Sequence, residues 1–381
     1  MRTLSDFNFK NKTVLVRADL NSDVVKGKVI DGKRIIAASE TIKELKRKKA
    51  KVVILAHQGN PGKYDFTSLE QHSKLLNKYT KIKFVKEITG KKAKDEINHL
   101  KPGEALLLEN VRMEKQEFHP GKNKLVKFFL PLIEIYINDA FSVCHRDHTS
   151  IVSFPGYFES GIGRLMQREL SALKKVKLKN CLFILGGSKP EENILLLGKN
   201  KVLACGIFGQ LCLISRGENL GKNNEKENRR FIKEYDLALM KLKNKLRTKK
   251  NLLVPEDLAV KIKDKRVEFP LEKFPTDYVI YDIGSRTIKQ YVKEIKKARC
   301  IFMKGPAGFC GYDNFCKGTF AILKAIANSR AFSIIGGGHL NDAIHQSGIS
   351  SKKFSHISLS GGALLRYIAG KRLPGLESLK Q

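Results

Sequence analysis

In the first half of this chain, cations and small polar side chains recur directly after apolar runs. Arg17, Asp19 and Asn21 close VLVRADLN, His57 follows VVILA, Arg112 ends LLLENVR, and His145 and Arg146 end NDAFSVCHR. Arg34 opens a helical stretch close behind the first of these. Guanidinium groups at several separate strand ends suit bidentate clamping of carboxylate or phosphate. One such arginine would be an ordinary surface residue. Several, on the edge where α/β sheets hold ligands, are better explained by a small polyanion. The second half carries a different chemistry. CLFILGGSK (Cys181–Lys189) and FSIIGGGHL (Phe332–Leu340) are apolar runs that break into glycines. Glycine lets the backbone turn sharply and approach a ligand closely. The amides that open the next helix then form an anion site, with Lys189 as the side-chain contact to phosphate. Neither set includes a nucleophile with an adjacent base.

These residues need strand ends to hold them, and the chain supplies an alternation of strands and helices. KTVLVRADLN, KVVILAHQG, IKFVKE, EALLLENVR and IYINDAF read as strands. RIIAASETIKELKRKKA and SLEQHSKLLNKY have helical apolar spacing. KLVKFFLPL begins as a helix that Pro131 caps or breaks. GRLMQRELSALKKV (Gly163–Val176) is a long helix without internal proline or glycine. The alternation then restarts at LFILGG, KVLACG, NLLVPEDLAV, YVIYDIG, CIFMKGPAG and AFSIIGGG. The expectation is α/β, with two parallel sheets and a helix between them.

A length of 381 residues is natural for two domains. With 42% apolar and 29% charged residues, the composition is that of a globular protein with ample core. No apolar run reaches membrane-spanning length, and MRTLSDFNFKNK lacks a signal core, so a cytoplasmic location without a membrane partner is expected. The seven cysteines are scattered without a CxxC pair, which predicts reduced thiols and no zinc. The net charge of +34 raises a polyanionic partner such as nucleic acid. The lysines are spread over many surface stretches rather than gathered in one tail, and no aromatic-interleaved basic strand occurs. A solvated basic surface is the better reading, without a nucleic-acid partner.

VRADLN, DGKRIIAA, AHQGNPG, LLLENVR, NDAFSVCHR, ILGGSK, YDIGSRT, KGPAG, IIGGGH and LPGLESL follow in order the motif series of phosphoglycerate kinases. The chain resembles that family over essentially its whole length, with HQGNPGKYDFTSLEQH and GGGH most similar to the archaeal branch. The resemblance implies two Rossmann-like domains facing a cleft. Residues 1–165 would form a glycerate-binding domain, on which 366–381 pack back. Residues 166–177 would form a connecting helix, and 178–365 a nucleotide-binding domain. It implies reversible phosphoryl transfer between 1,3-bisphosphoglycerate and ADP, giving 3-phosphoglycerate and ATP in glycolysis and gluconeogenesis. Mg2+, hinge closure and no covalent intermediate go with it, in a monomer or homodimer.

Carried over by position, Arg34 and Lys189 are the catalytic candidates. Asp19, Asn21, Arg34, His57, Gly59, Asn60, Arg112 and Arg146 are the glycerate-site candidates. Lys189, Pro306, Gly311, Gly336, Gly337, Gly338, His339 and Leu340 are the nucleotide-site candidates, and the metal's ligands are not assigned. The chain also departs from the family. Asn60 stands where an arginine is expected to touch the triose phosphate, Lys304 replaces an asparagine, and Gly311 replaces a glutamate expected at the ribose. Leu340 replaces a hydroxyl residue near the phosphates. Because these departures gather mostly in the nucleotide half, a weakened or inactive paralogue acting as a binding or regulatory protein stands as the alternative.

Overall fold

The computed structural model describes residues 1–175, 180–198, 200–232, 234–246 and 251–380. The chain divides into two compact units, the first Met1–Ser171 with Gly370–Gln381 and the second Ala172–Ala369.

Unit 1 is built on six parallel strands: β1 Thr13–Ala18, β2 Lys51–Leu55, β3 Lys83–Val85, β4 Ala105–Leu108, β5 Ile135–Asp139 and β6 Glu159–Ile162. Their order across the sheet is β3-β4-β2-β1-β5-β6. The central strands are buried nearly throughout, which is why they read as continuous apolar runs rather than as alternating ones. Helix Lys33–Arg47 covers one face with Ile35, Ala38, Ile42 and Leu45, an apolar stripe at helical spacing. Lys46 and Arg47 close it where the helix dipole favours cations. The helix expected before β5 runs over Lys124–Phe129, capped by Asn123, and stops two residues short of Pro131. Strand order reverses direction at β1, so the residues after β1, β2 and β5 emerge together at the carboxyl edge. The register sets Arg17 level with Leu55 on one side and Asn138 on the other.

The long helix expected over Gly163–Val176 spans Arg164–Lys175; residues 176–177 of the expected connecting helix, and 381 of the C-terminal segment, lie outside the described residues. At its start, Asp139 accepts hydrogen bonds from Met166 N at 3.0 Å and Thr41 Oγ1 at 2.6 Å. The C-terminal segment packs on unit 1 through Gly375 N, which donates to Cys144 O at 3.0 Å.

Unit 2 repeats the scheme with β7 Leu182–Leu185, β8 Val202–Ala204, β9 Leu252–Leu253, β13 Cys300–Lys304, β14 Phe332–Gly336 and β15 His356–Ser358, in the order β9-β8-β7-β13-β14-β15. Between β9 and β13 lies a separate antiparallel sheet, β11-β10-β12, made of β10 Asp257–Ile262, β11 Lys265–Pro270 and β12 Ile280–Ile283. This corrects the expectation for two segments. YVIYDIG and the DLAV part of NLLVPEDLAV do not join the parallel sheet. Lys263 and Asp264 both adopt positive φ, at 44° and 62°. Two such residues make a tight turn whose twist matches antiparallel strands, and Lys-Asp is a weak sequence signal for it.

The cysteines also differ from expectation. Cys181 pairs with Cys300, and Cys310 with Cys316. The first pair joins the starts of the adjacent parallel strands β7 and β13 across 119 residues of sequence, a proximity that a search for CxxC spacing does not see. Cys144, Cys205 and Cys212 are free and buried.

Candidate functional site

In unit 1 the charged strand ends divide into a buried frame and a set of groups open to a ligand. Arg17 belongs to the frame, being fully enclosed. Its Nε donates to Ser150 Oγ at 2.8 Å, Nη1 to Ala18 O at 2.9 Å and Nη2 to His57 Nδ1 at 3.2 Å. Glu117 lies 4.0 Å from Arg17 and accepts from Ser150 N and Oγ. Because Arg17 can only donate, His57 Nδ1 accepts and the ring proton sits on Nε2. Burial, with Arg17, Arg112, Arg34 and Arg146 around it, holds the His57 pKa well below its ordinary value, so the ring is neutral at pH 7.

Arg112 is buried as well, yet its Nε and Nη2 have no hydrogen-bond partner among the described residues. Its Nη1 donates to Gly59 O and to Asn60 Oδ1, the latter at 3.0 Å. Burial and the neighbouring Arg146 and Arg17 lower its pKa. A buried guanidinium with two unmet donors is costly unless an anion completes it. Asn60 is oriented by this arrangement. Its Oδ1 accepts from Arg112 and, at 3.4 Å, from Arg146 Nη1. Its side chain thereby positions two arginines.

Arg34, in the first turn of its helix, donates to Asn21 O at 2.8 Å and stands 3.5 Å from Asp19 Oδ1. Asn21 Oδ1 accepts from Gly59 N at 2.8 Å. Gly59 has φ +65°, and a Cβ there would lie 2.5 Å from the Asp65 backbone, so the loop closes only with glycine. Gln58 staples the same loop, donating to Ser22 O and Asp65 O and accepting from Ser22 N and His72 Nε2. The structure therefore brings Asp19, Asn21, Arg34, His57, Gly59, Asn60, Arg112 and Arg146 to one edge. Sequence reasoning missed Gln58, Glu117 and Ser150, polar residues whose partners lie far away in the chain.

In unit 2 the turns after β7 and β13 pack backbone against backbone. A Cβ on Gly186 would meet Pro306 O at 2.3 Å, and one on Gly305 would meet Gly186 O at 2.5 Å. The third turn, after β14, carries Gly337 at φ +114° as the cap of helix Gly338–Gln346, whose first amides have no partner within the helix. Lys304 ends β13 level with Leu185 and Gly336, at the point where strand order reverses. Its ammonium pairs with Glu192 at 3.0 Å and donates to Lys189 O at 3.1 Å, and burial lowers its pKa. The Lys189 side chain is exposed.

These turns open into a cavity of about 550 Å³ within unit 2. Pro306, Gly311 and His339 line it, beside Gly187 and Ser188. Tyr281, Phe309 and Tyr312 form an aromatic wall with ring centroids 5.1 to 5.9 Å apart. Leu340 is a correction. Its side chain is fully enclosed in the core behind β14, packed with Ala343 and Ile344, so it cannot reach a phosphate, and only its backbone amide remains available. Gly336 likewise shapes the turn without lining the cavity, its Cβ position lying 2.9 Å from Leu364. Among the described residues no group of three or more His, Cys, Asp or Glu side chains could hold a metal ion by itself. Asp342, in the helix that the glycine turn opens, lines the cavity.

A phosphoglycerate kinase family model matches residues 4–371. The chain is 38% identical to the phosphoglycerate kinase of Methanopyrus kandleri, covering 99% of this chain and 97% of that protein. It is 39% identical to that of Methanobacterium bryantii, covering 100% and 97%. Among solved structures, the phosphoglycerate kinase of Pyrococcus horikoshii matches with a TM-score of 0.92 at 34% identity over 100% of this chain and 98% of the other. The chain belongs to the phosphoglycerate kinase family. The three positions that the motif resemblance marks as departures each have a local structural role: Asn60 orients two arginines, Lys304 is ion-paired, and Leu340 fills the core. Gly311 stays at the cavity wall, where the atoms nearest to a Cβ belong to the Phe309 ring, the first at 2.7 Å.

Proposed function

We propose that the protein transfers a phosphoryl group reversibly between 1,3-bisphosphoglycerate and ADP, giving 3-phosphoglycerate and ATP, as a step of glycolysis and gluconeogenesis. The observation that carries this reading is Arg112, a buried cation with two unmet donors in a set of arginines, in a chain whose family match is nearly complete. Unit 1 takes the glycerate. Arg112 and Arg146, aligned by Asn60, bind its phosphate, while Arg34 and the amino group of Asn21 bind the carboxyl end and the Asp19 carboxylate accepts from the glycerate hydroxyl. Neutral His57 offers its Nε2–H as a further donor. Unit 2 takes the nucleotide, with its phosphates at the glycine turns and Lys189 beside them. In-line transfer is mostly positioning and charge stabilisation, which guanidinium, ammonium and backbone amides provide without a covalent intermediate.

Asp342, the carboxylate in the helix that the glycine turn opens, lines the cavity and would be the residue to hold a magnesium ion brought in with the nucleotide. When bound it neutralises charge on the phosphates. A cytoplasmic location, and a monomer or homodimer, belong to the same reading. The departures from the family have local structural accounts, which favours an active enzyme over an inactive paralogue. A coupled assay with ATP, 3-phosphoglycerate and magnesium tests the proposal. Formation of 1,3-bisphosphoglycerate is expected, and its absence in folded protein in both directions overturns it.

A further inference from the structure

Away from the glycine turns, the cavity of unit 2 is walled by helices Gly206–Ser215 and Lys222–Phe231. Gln210 from the first and Asn228 from the second line that wall, although they are only 6% and 2% exposed. Asn228 Nδ2 donates to Gln210 Oε1 at 3.1 Å. This bond uses one group of each amide. The Gln210 amino group and the Asn228 carbonyl oxygen have no hydrogen-bond partner among the described residues, and neither is among the fully enclosed atoms left unmatched. They are therefore open to the cavity.

Asn224, one turn earlier on the same helix, shows what a purely structural amide does here. Its Nδ2 donates to Leu220 O and Tyr278 O, and its Oδ1 accepts from Ile280 N, so both of its groups are consumed in tying the helix to the chain before it and to the segment that enters β12. Gln210 and Asn228 are not consumed in this way. Reversing both amides inverts the bond between them and again leaves one donor and one acceptor free. Phe231, Leu258 and Ile280 give the same wall an apolar lining, and an unmet amide pair beside apolar surface gains most from a ligand that satisfies both groups.

A nucleobase edge presents such a pair, as adenine does with its amino group and a ring nitrogen. We propose that Gln210 and Asn228 read the hydrogen-bonding edge of the nucleobase. This rests on the reading of the cavity as the nucleotide site: phosphates lie at the turns of Gly187 and His339, and the base lies at the amide wall. Because the pair inverts by a concerted flip, it accepts adenine or guanine. It rejects a base that lacks one of the two groups, since that base leaves a buried amide unmet.

The test is calorimetric titration of the full chain with ATP and with purine riboside triphosphate, in which hydrogen replaces the 6-amino group. The same titrations are run on the double variant Gln210→Met and Asn228→Leu, which keeps the volume and removes the polar groups. Wild type is expected to bind the analogue about ten- to a hundredfold more weakly than ATP, and the variant to bind both with affinities within about twofold of each other. Unchanged affinity for 3-phosphoglycerate and a cooperative thermal melt show that the variant is folded. Should it fail to fold, Asn228→Ala takes its place with the same expectation. Equal binding of the two nucleotides by wild type, or a preference that survives the substitutions, overturns the proposal. Absence of ATP binding by wild type instead overturns the assignment of the cavity to a nucleotide.

Discussion

The candidate anion site of unit 1 is assembled from side chains that arrive from separate strand ends and are held by a buried frame of Arg17, Glu117, Ser150 and His57, whereas the turns of unit 2 present mainly backbone. A side-chain site depends on residue identity at each position, because each charge has its own partners. A backbone site depends on φ and on close approach, so the residues around its glycines can change while the turns persist. That difference suits the departures that the motif resemblance implies, which gather mostly in the second half, at Lys304, Gly311 and Leu340.

The largest effect expected from this comparison lies in the two cations assigned to the transferring group. Arg34→Ala and Lys189→Ala should each lower kcat by about 10²–10³-fold, with smaller changes in KM, because their charges matter most as phosphoryl charge redistributes. Steady-state kinetics in both directions measure this. A Lys189→Ala enzyme with near wild-type kcat would mean that unit 2 works through backbone and Lys304 alone.

The next effect separates the units by acid. His57 and His72 are buried, and burial holds both below their ordinary pKa, His72 at about 4. In the unfolded chain each imidazole takes up a proton below about pH 6.5, while the folded one stays neutral. The stability these histidines contribute is therefore full above that pH and falls as the pH drops, each by roughly 1.4 kcal/mol per pH unit until the folded group begins to titrate. Burial raises the acids Asp139, to about 7, and Glu117 in the same unit, and these act in the opposite sense, so the difference between two proteins isolates the histidine. Chemical denaturation between pH 7 and 5 should show wild type losing about 1.4 kcal/mol per pH unit more than His72→Gln. Equal slopes would contradict a neutral, buried His72.

A smaller change concerns Asn60. Restoring the family's arginine there should not help, because Asn60 accepts hydrogen bonds from Arg112 and Arg146. Asn60→Arg replaces that acceptor with a third like charge, and the KM for 3-phosphoglycerate should rise about tenfold. A lower KM would show that the two arginines need no acceptor between them.

How much of this was legible beforehand follows from the range of the interactions. Strand ends, glycine turns and the alternation of elements are local patterns, so Arg17, His57, Arg112 and both glycine runs could be singled out from the chain alone. The antiparallel sheet was hidden because its hairpin turns on Lys263 and Asp264, residues that seldom adopt positive φ. The amide wall was hidden because KNNEKENRRF carries no apolar stripe, and Asn228 acquires meaning only from Gln210. Leu340 was misplaced for a related reason. Position in a motif says which turn a residue occupies, and the first turn of a helix points one residue at the ligand and the next into the core.

The smallest effects are expected at Gly311 and Leu340. Gly311→Glu meets first the exposed Phe309 ring, which can move, and should tighten ATP by about tenfold or less. Leu340→Thr places a hydroxyl in the core and should lower stability by about 1–3 kcal/mol without improving ATP affinity. Urea denaturation and ATP titration of each variant distinguish the two outcomes.

The most direct test of a side-chain site in one unit and a backbone site in the other is a crossed pair of calorimetric titrations at physiological salt. Arg112→Ala should weaken 3-phosphoglycerate about ten- to a hundredfold and leave ATP within about twofold of wild type. Gly337→Ala, which forces a Cβ onto a backbone at φ +114°, should do the reverse. Loss of both ligands together in either folded variant would contradict the division of the two substrates between the units.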